Sequence, residues 1–161
     1  MDGIEIKQAL PEDADLILQL QIQAYLSEAE IYNDYSIPPL IQSLTEIKRE
    51  FVEQVFLKAV EENGEIIGSV RAYLEKGSVY VGRLIVQPEL QNKGIGTKLM
   101  NAIEQHFKIA NRYELFTGHK SAQNLYLYQI LGYCEFKRIH VNETLVLVYL
   151  EKLSNNKELT K

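Results

Sequence analysis

Leu84-Ile85-Val86-Gln87-Pro88-Glu89-Leu90-Gln91-Asn92-Lys93-Gly94-Ile95-Gly96-Thr97, continued by Lys98 to Phe107, is the stretch that decides how this chain folds. Leu84 to Gln87 is a short apolar run of strand type, and Pro88, which has no N–H to give to a ladder, ends it. Beyond the turn, Ile95, Leu99, Ile103 and Phe107 recur every four residues, the stripe of an amphipathic helix. The stretch reads as strand, turn, helix, with Gly94 and Gly96 where the turn becomes the helix. With no Cβ at either glycine a ligand can come close to the backbone, and the first-turn N–H groups have no acceptor within the helix. Such a helix start suits an anion such as pyrophosphate.

Glycines at this spacing also fit a tight turn that merely packs, so the surrounding letters have to discriminate. A phosphate loop of the NTPase type requires Gly-Lys-Ser/Thr after four intervening residues, but Lys93 precedes Gly94 and Lys98 is followed by Leu99. A dinucleotide fingerprint requires a third glycine where Leu99 stands. What fits is Gln/Arg-x-x-Gly-x-Gly/Ala, met by Gln91-Asn92-Lys93-Gly94-Ile95-Gly96, after an apolar strand ending in Val-x-Pro. In this the chain resembles the GNAT superfamily of acyl-CoA-dependent N-acetyltransferases. The resemblance implies that the loop from Gln91 through Thr97 holds the pyrophosphate of coenzyme A through backbone amides. Many members carry Arg where this chain has Gln91, which leaves Lys93 and Lys98 as candidates to supply charge.

The 161 residues have one-domain length, and a 46% hydrophobic content is ample for a core. One domain over 1–153 is the expectation, with a polar, frayed tail over 154–161. No basic stretch followed by an apolar run opens the chain and no window approaches eighteen apolar residues, so the expectation is a cytoplasmic protein with no membrane partner. The lone Cys134 has no internal partner and no evident base beside it, and reads as a packing or surface residue. His106, His119 and His140 lack metal-ligand spacing, and no metal is expected.

Charge divides along the chain. Residues 1–82 hold 6 Lys/Arg against 15 Asp/Glu, a net of −9, whereas residues 83–161 hold 11 against 7, a net of +4. The acidic half is a poor partner for nucleic acid, and the half carrying the glycine loop has the sign suited to a phosphate-rich ligand.

Ile4 to Lys7 alternates in strand fashion before Pro11, after which Pro11 or Asp13 starts a helix bearing Leu16, Ile17, Leu20 and Ala24 on one side. Ser27 to Pro39 reads as a connection. A second helix carries the stripe Leu40, Leu44, Ile47 and Phe51, with Lys48, Arg49 and Glu50 outward. Then the period shifts to two, and turn residues at Asn63-Gly64 and Lys76-Gly77 bound three strands, 55–60, 66–74 and 79–86, as a meander of hairpins. Tyr113 to Thr117 is a strand reached through the Ile95 helix and hence parallel to the Leu84 strand. A short helix over 121–131 follows, packed by Leu125, Leu127, Ile130 and Leu131 and ending at a left-handed cap on Gly132. Strands over 133–141 and 145–150 close the chain as a hairpin.

This order also resembles the GNAT arrangement over nearly the whole chain. It implies an α/β (α+β) fold with a mixed, mostly antiparallel central sheet flanked by helices, and a parallel strand pair that splays apart. In the gap Leu84, Ile85 and Val86 would pair with the pantetheine arm of the cosubstrate as an added strand does. The short helix completes Asn-x-x-x-Tyr-x-x-x-Gly-Phe/Tyr as Asn124, Tyr128, Gly132 and Tyr133. The resemblance assigns Asn124 to the pantetheine and Tyr128 to protonation of the departing thiolate. The implied reaction is direct transfer of an acetyl group from acetyl-CoA to a small-molecule or peptide primary amine. The opposing reading is a non-catalytic acyl-CoA-binding or sensing module of the same shape. Residues 79–86 contain no carboxylate, so the general base stays open among Glu75, Asp34, Glu30 and a bound water. The acidic half favours a cationic acceptor, and the sequence leaves a homodimer open.

Overall fold

The computed structural model describes residues 3–154. Strand β1 (Glu5–Gln8) leads through a turn at Pro11–Asp13 into helix α1 (Ala14–Tyr32), followed by α2 (Pro38–Ile41) and α3 (Leu44–Glu53). Then come β2 (Val55–Val60), β3 (Ile66–Glu75), β4 (Ser78–Val86), α4 (Ile95–His106), β5 (Arg112–Gly118), α5 (Ala122–Ile130), β6 (Cys134–His140) and β7 (Val146–Leu153). The seven strands form one sheet in the order β1-β2-β3-β4-β5-β7-β6. Every neighbouring pair is antiparallel except β4 with β5, which a helix joins and which run parallel. This is the mixed, mostly antiparallel architecture expected. Among the described residues no helix is long and apolar enough to cross a membrane.

Alternation along the strands separates the core into clusters. Phe56 packs with Ile17 of α1 and Ile47 of α3, while its neighbour Leu57 joins Ala59, Val70, Val79 and Val81 beneath Ile95, Leu99, Met100 and Ile103 of α4. Successive strand side chains point to opposite faces, so the two neighbours meet different helices. Leu20 and Ala24 of α1 form a third, smaller cluster with Ile85 of β4.

The feature that positions a site is the fork between β4 and β5. Their parallel pairing consists of Ser78 with Arg112, Val79 with Tyr113 and Tyr80 with Glu114, and it stops there. Beyond this point β4 stays with β3 as far as Gly68↔Val86, and β5 stays with β7 as far as Gly118↔Leu147. A bulge accompanies the parting: Arg71 faces Gly82 and Ser69 faces Ile85, so β4 spends one residue more than β3, and Arg83 takes a left-handed φ of 50°. A bulge bends and twists the strand that carries it.

Several expectations are corrected. Helix α1 continues to Tyr32 instead of ending near Ser27, because no breaker occurs before Asn33, whose left-handed φ of 50° supplies the cap, and Ala29 and Tyr32 add buried surface. Leu16 points outward at 55% exposure, and the inner stripe is Ala14, Ile17, Leu20, Gln21 and Ala24. The second helix is two pieces. Ser43 breaks it by forming a capping box with Glu46, the Ser43 hydroxyl accepting from Glu46 N–H and the Glu46 carboxylate from Ser43 N–H. Glu50 does not face outward: it pairs at 2.8 Å with Arg71, whose side chain is 2% exposed, stacks on Phe56 and also bonds Gln21. Ile130 is 62% exposed, leaving Leu125, Leu127 and Leu131 to pack that helix on the core. Gly132 adopts the expected positive φ, with Tyr133 N–H bonded to Tyr128 C=O and Gly132 N–H to Gln129 C=O. Cys134 is exposed. The tail expected from 154 onward lies, Ser154 apart, outside the described residues.

Candidate functional site

A cleft of about 680 Å³ opens in the fork. Leu84, Ile85 and Val86 of β4 form one side, and the turn and first residues of α4 contribute Gln91, Asn92, Gly94, Ile95, Gly96 and Thr97. Ser121 at the start of α5, Asn124 and Leu127 within it, and Tyr25 and Glu28 from α1 line it as well. The strand, loop and Asn124 positions singled out in the sequence are thus brought together, although they span about forty residues of chain. Lys93, in the turn, and Lys98, in α4, do not line the cleft.

The loop owes its shape to two left-handed residues, Asn92 at φ 63° and Gly94 at φ 85°. Gly94 is required by its backbone, since a Cβ there would meet nothing within 4 Å, yet an L side chain is strained at that φ. The first bond of α4 runs from Lys98 N–H to Gly94 C=O, and no side chain caps the helix. The amides of Ile95, Gly96 and Thr97 therefore lack intrahelical acceptors at the positive end of the helix dipole, on the wall of the cleft.

The opposite wall holds the one acid among the lining residues, Glu28. Its carboxylate accepts from the Ser121 hydroxyl at 2.6 Å and from Asn124 Nδ2 at 3.3 Å. Ser121 Oγ lies 2.8 Å from the Tyr32 hydroxyl, which accepts from Lys120 N–H at 2.9 Å. Since Ser121 has one hydrogen and gives it to the carboxylate, Tyr32 must donate to Ser121. The donors thus run in series, Lys120 N–H to Tyr32, Tyr32 to Ser121 and Ser121 to Glu28. Tyr32 reaches this position because residue 118 is glycine: a Cβ on Gly118 would stand 2.0 Å from the Tyr32 hydroxyl oxygen. Asn124 also donates to Thr117 Oγ1 at 3.2 Å, which ties the cleft end of α5 to β5.

None of the acids expected as a base lines the cleft. Glu75 ends β3 at the hairpin opposite Ser78, Asp34 accepts from the backbone and hydroxyl of Ser36, and Glu30 is exposed. Glu28 is missed by sequence reading because 27–39 is taken as a connection. Its signal is the helical spacing of Ile17, Gln21, Ala24, Glu28 and Tyr32.

Tyr128 is buried in the main core, its ring 6.0 Å from that of Tyr133, and it is not among the residues lining the cleft. Burial, and then the nearby Tyr25 and Glu28, push its phenol well above the ordinary tyrosine range. Tyr128 therefore stands near two cleft residues, behind the surface they line. Among the described residues no group of three or more His, Cys, Asp or Glu is placed to hold a metal ion.

Comparison with known proteins gives a family match and a shared fold. The model of the Acetyltransferase (GNAT) family matches residues 17–133. The UPF0157 protein YqkA of Bacillus subtilis is 27% identical over 131 residues, 81% of this chain and 37% of that protein, so the chain spans little more than a third of the length of the curated relative it matches. The structure of smu.2055 from Streptococcus mutans superposes with a TM-score of 0.78 at 17% identity, covering 92% of this chain and 98% of that one. The PaiA N-acetyltransferase of Thermoplasma acidophilum, solved in complex with coenzyme A, superposes at 0.66 with 22% identity over 93% and 98%. At these identities both likenesses speak to the fold.

Proposed function

Given that this chain belongs to the GNAT family of acetyltransferases, we propose that it moves an acetyl group from acetyl-CoA directly to a primary amine bound in the fork. The observation that carries this reading is the cleft itself, with unmatched backbone amides on one wall and a hydrogen-bonded carboxylate on the other.

The amides of the Gly94 turn and the first residues of α4 bind the pyrophosphate, and the free edge of β4 at Leu84 to Val86 pairs with the pantetheine arm as a β5 continuation would. Asn124 contacts the same arm. A backbone N–H of Ile85 or Val86 then polarises the thioester carbonyl, stabilising the oxygen as it gains charge. Glu28 orients the amine and takes its proton as the C–N bond forms. The C–S bond breaks and the departing thiolate takes a proton, for which Tyr128, behind the cleft lining, is the donor tested by Tyr128→Phe.

The test is release of free thiol from acetyl-CoA across a panel of primary amines, run on the parent protein and on Glu28→Gln. Amine-dependent release is expected from the parent, with kcat/KM about 10²-fold to 10⁴-fold lower in the variant and CoA affinity unchanged. A protein that binds CoA yet acetylates no amine is a binding module. A variant within about threefold of the parent removes Glu28 from the proton transfer.

A further inference from the structure

The bulge in β4 sets beside the cleft a cation, Arg83, that no carboxylate among the described residues pairs with. Arg83 follows Gly82 at the point where β4 leaves β5, and its neighbour Leu84 lines the cleft. Its guanidinium lies beside the hydroxyl of Tyr25, itself a cleft residue, and its Nε is sealed from solvent with no partner. The other sheltered arginines have acids: Arg71 pairs with Glu50, and Arg112 with Glu114 and Glu151. Among the described residues no carboxylate lies within ion-pair distance of Arg83. Arg71 is close enough for the two cations to act on the same Tyr25 hydroxyl, and Glu50 balances one of them. A half-buried guanidinium without an anion keeps its charge uncompensated, and the group that matches it in charge and shape is a carboxylate or phosphate.

We propose that Arg83 binds an anionic group on the acceptor, so that the acceptors of this enzyme are amines carrying a carboxylate, amino acids foremost. The inference rests on the acetyl-transfer reading above. Tyr25 feels Glu28 as well as the two arginines, burial raising its phenol, Arg83 and then Arg71 lowering it, and Glu28 raising it. Arg83 does not itself line the cleft, but its guanidinium and the Glu28 carboxylate both act on the Tyr25 hydroxyl, which does, and together they complement an ammonium and a carboxylate joined by a short linker. The net −9 of the first half governs long-range attraction of a cation, while these groups select what stays bound.

The experiment compares acetylation rates for amino acids and their carboxamides, together with ethanolamine and phosphoethanolamine, in the parent protein, Arg83→Gln and Arg83→Lys. The parent is expected to prefer each productive acid over its amide, and Arg83→Gln to lower kcat/KM for the acid by about 10-fold to 100-fold, mostly through KM, the scale of a charged hydrogen-bond pair. Arg83→Lys, which keeps the charge and loses the fork, is expected to fall between them. CoA affinity and unfolding temperature, measured on the same preparations, report whether each variant is folded. Preference for phosphoethanolamine over every amino acid overturns the carboxylate in favour of phosphate. Equal rates for acids and amides in the parent overturn the anionic subsite and leave acetyl transfer standing, irrespective of how the variants fold. Absence of amine-dependent thiol release with every acceptor overturns acetyl transfer itself and this inference with it.

Discussion

Tyr128 shows how a residue's role depends on its surroundings. A free thiol titrates near 8.5 and a free phenol near 10, about 1.5 units apart, which makes proton donation to a thiolate nearly balanced. Burial, and the nearby Tyr25 and Glu28, raise the Tyr128 phenol further, so it keeps its proton throughout the neutral range and yields it less readily than a free tyrosine. In the proposed transfer, donation from it accompanies C–S cleavage, when the sulfur is most basic. Tyr128→Phe keeps the buried ring and removes the hydroxyl, so single-turnover rates with unchanged CoA affinity are expected to fall about 10²-fold to 10⁴-fold. A rate within about threefold of the parent means that solvent protonates the thiolate and Tyr128 packs. The positions legible in the sequence are those with fixed spacing from a motif: Gly94, Gly96, Asn124 and the β4 edge, all of which meet in the cleft. Glu28 and Arg83 were not legible. One is an acid on a helix turn read as loop, the other a single arginine whose meaning comes from a bulge and an absent counter-ion.

Elements were legible where turn chemistry and period agreed. Gly64 and Gly77, both at positive φ, punctuate the β2 to β4 meander where the sequence sets its turns, and the four-residue stripe of α4 is buried at Ile95, Leu99 and Ile103. The break between α2 and α3 is hidden by a stripe that runs across it, and only the capping-box spacing of Ser43-Leu44-Thr45-Glu46 betrays it. The Gly94 to Thr97 segment offers a test in which two glycines behave oppositely. A Cβ on Gly96 would meet the side-chain tips of Leu127 at 3.4 Å and Leu84 at 3.8 Å, which can yield by a few tenths of an ångström. Gly96→Val is therefore expected to unfold within a few degrees of the parent while losing CoA binding by titration calorimetry, because its methyl groups occupy the cleft wall. Gly94→Ala has open space but an unfavourable φ of 85°, and is expected to cost about 1 to 2 kcal/mol of stability by chemical denaturation. A Gly96→Val protein that binds CoA like the parent makes the loop a packing turn.

At the scale of the molecule, the ten tyrosines give the fold a weakness at high pH. Tyr128 and Tyr133 are buried and both phenols are pushed up, Tyr128 chiefly by burial and Tyr133 by burial and then by Glu104, to which its hydroxyl donates at 2.9 Å. Their folded pKa values lie above the unfolded value near 10, so the folded chain holds these protons where the unfolded chain releases them. Stability is unaffected below about pH 10 and falls as pH rises beyond it, by about 1.4 kcal/mol per unit for each group. Thermal midpoints and phenolate absorbance followed together are expected to show these two ionising only as the protein unfolds; ionisation of all ten near pH 10 in a folded protein removes the effect. The fork has a different consequence at this scale. Three residue pairs are all that join β4 to β5 across the middle of the sheet. A cosubstrate lying along the free β4 edge supplies rungs the polypeptide does not, so the completed sheet is partly made of ligand. By mass action, a cosubstrate at a hundred times its dissociation constant then adds about 2.7 kcal/mol to the folded state. If the proposed transfer holds, the stability of the fold is thereby tied to the concentration of its own cosubstrate.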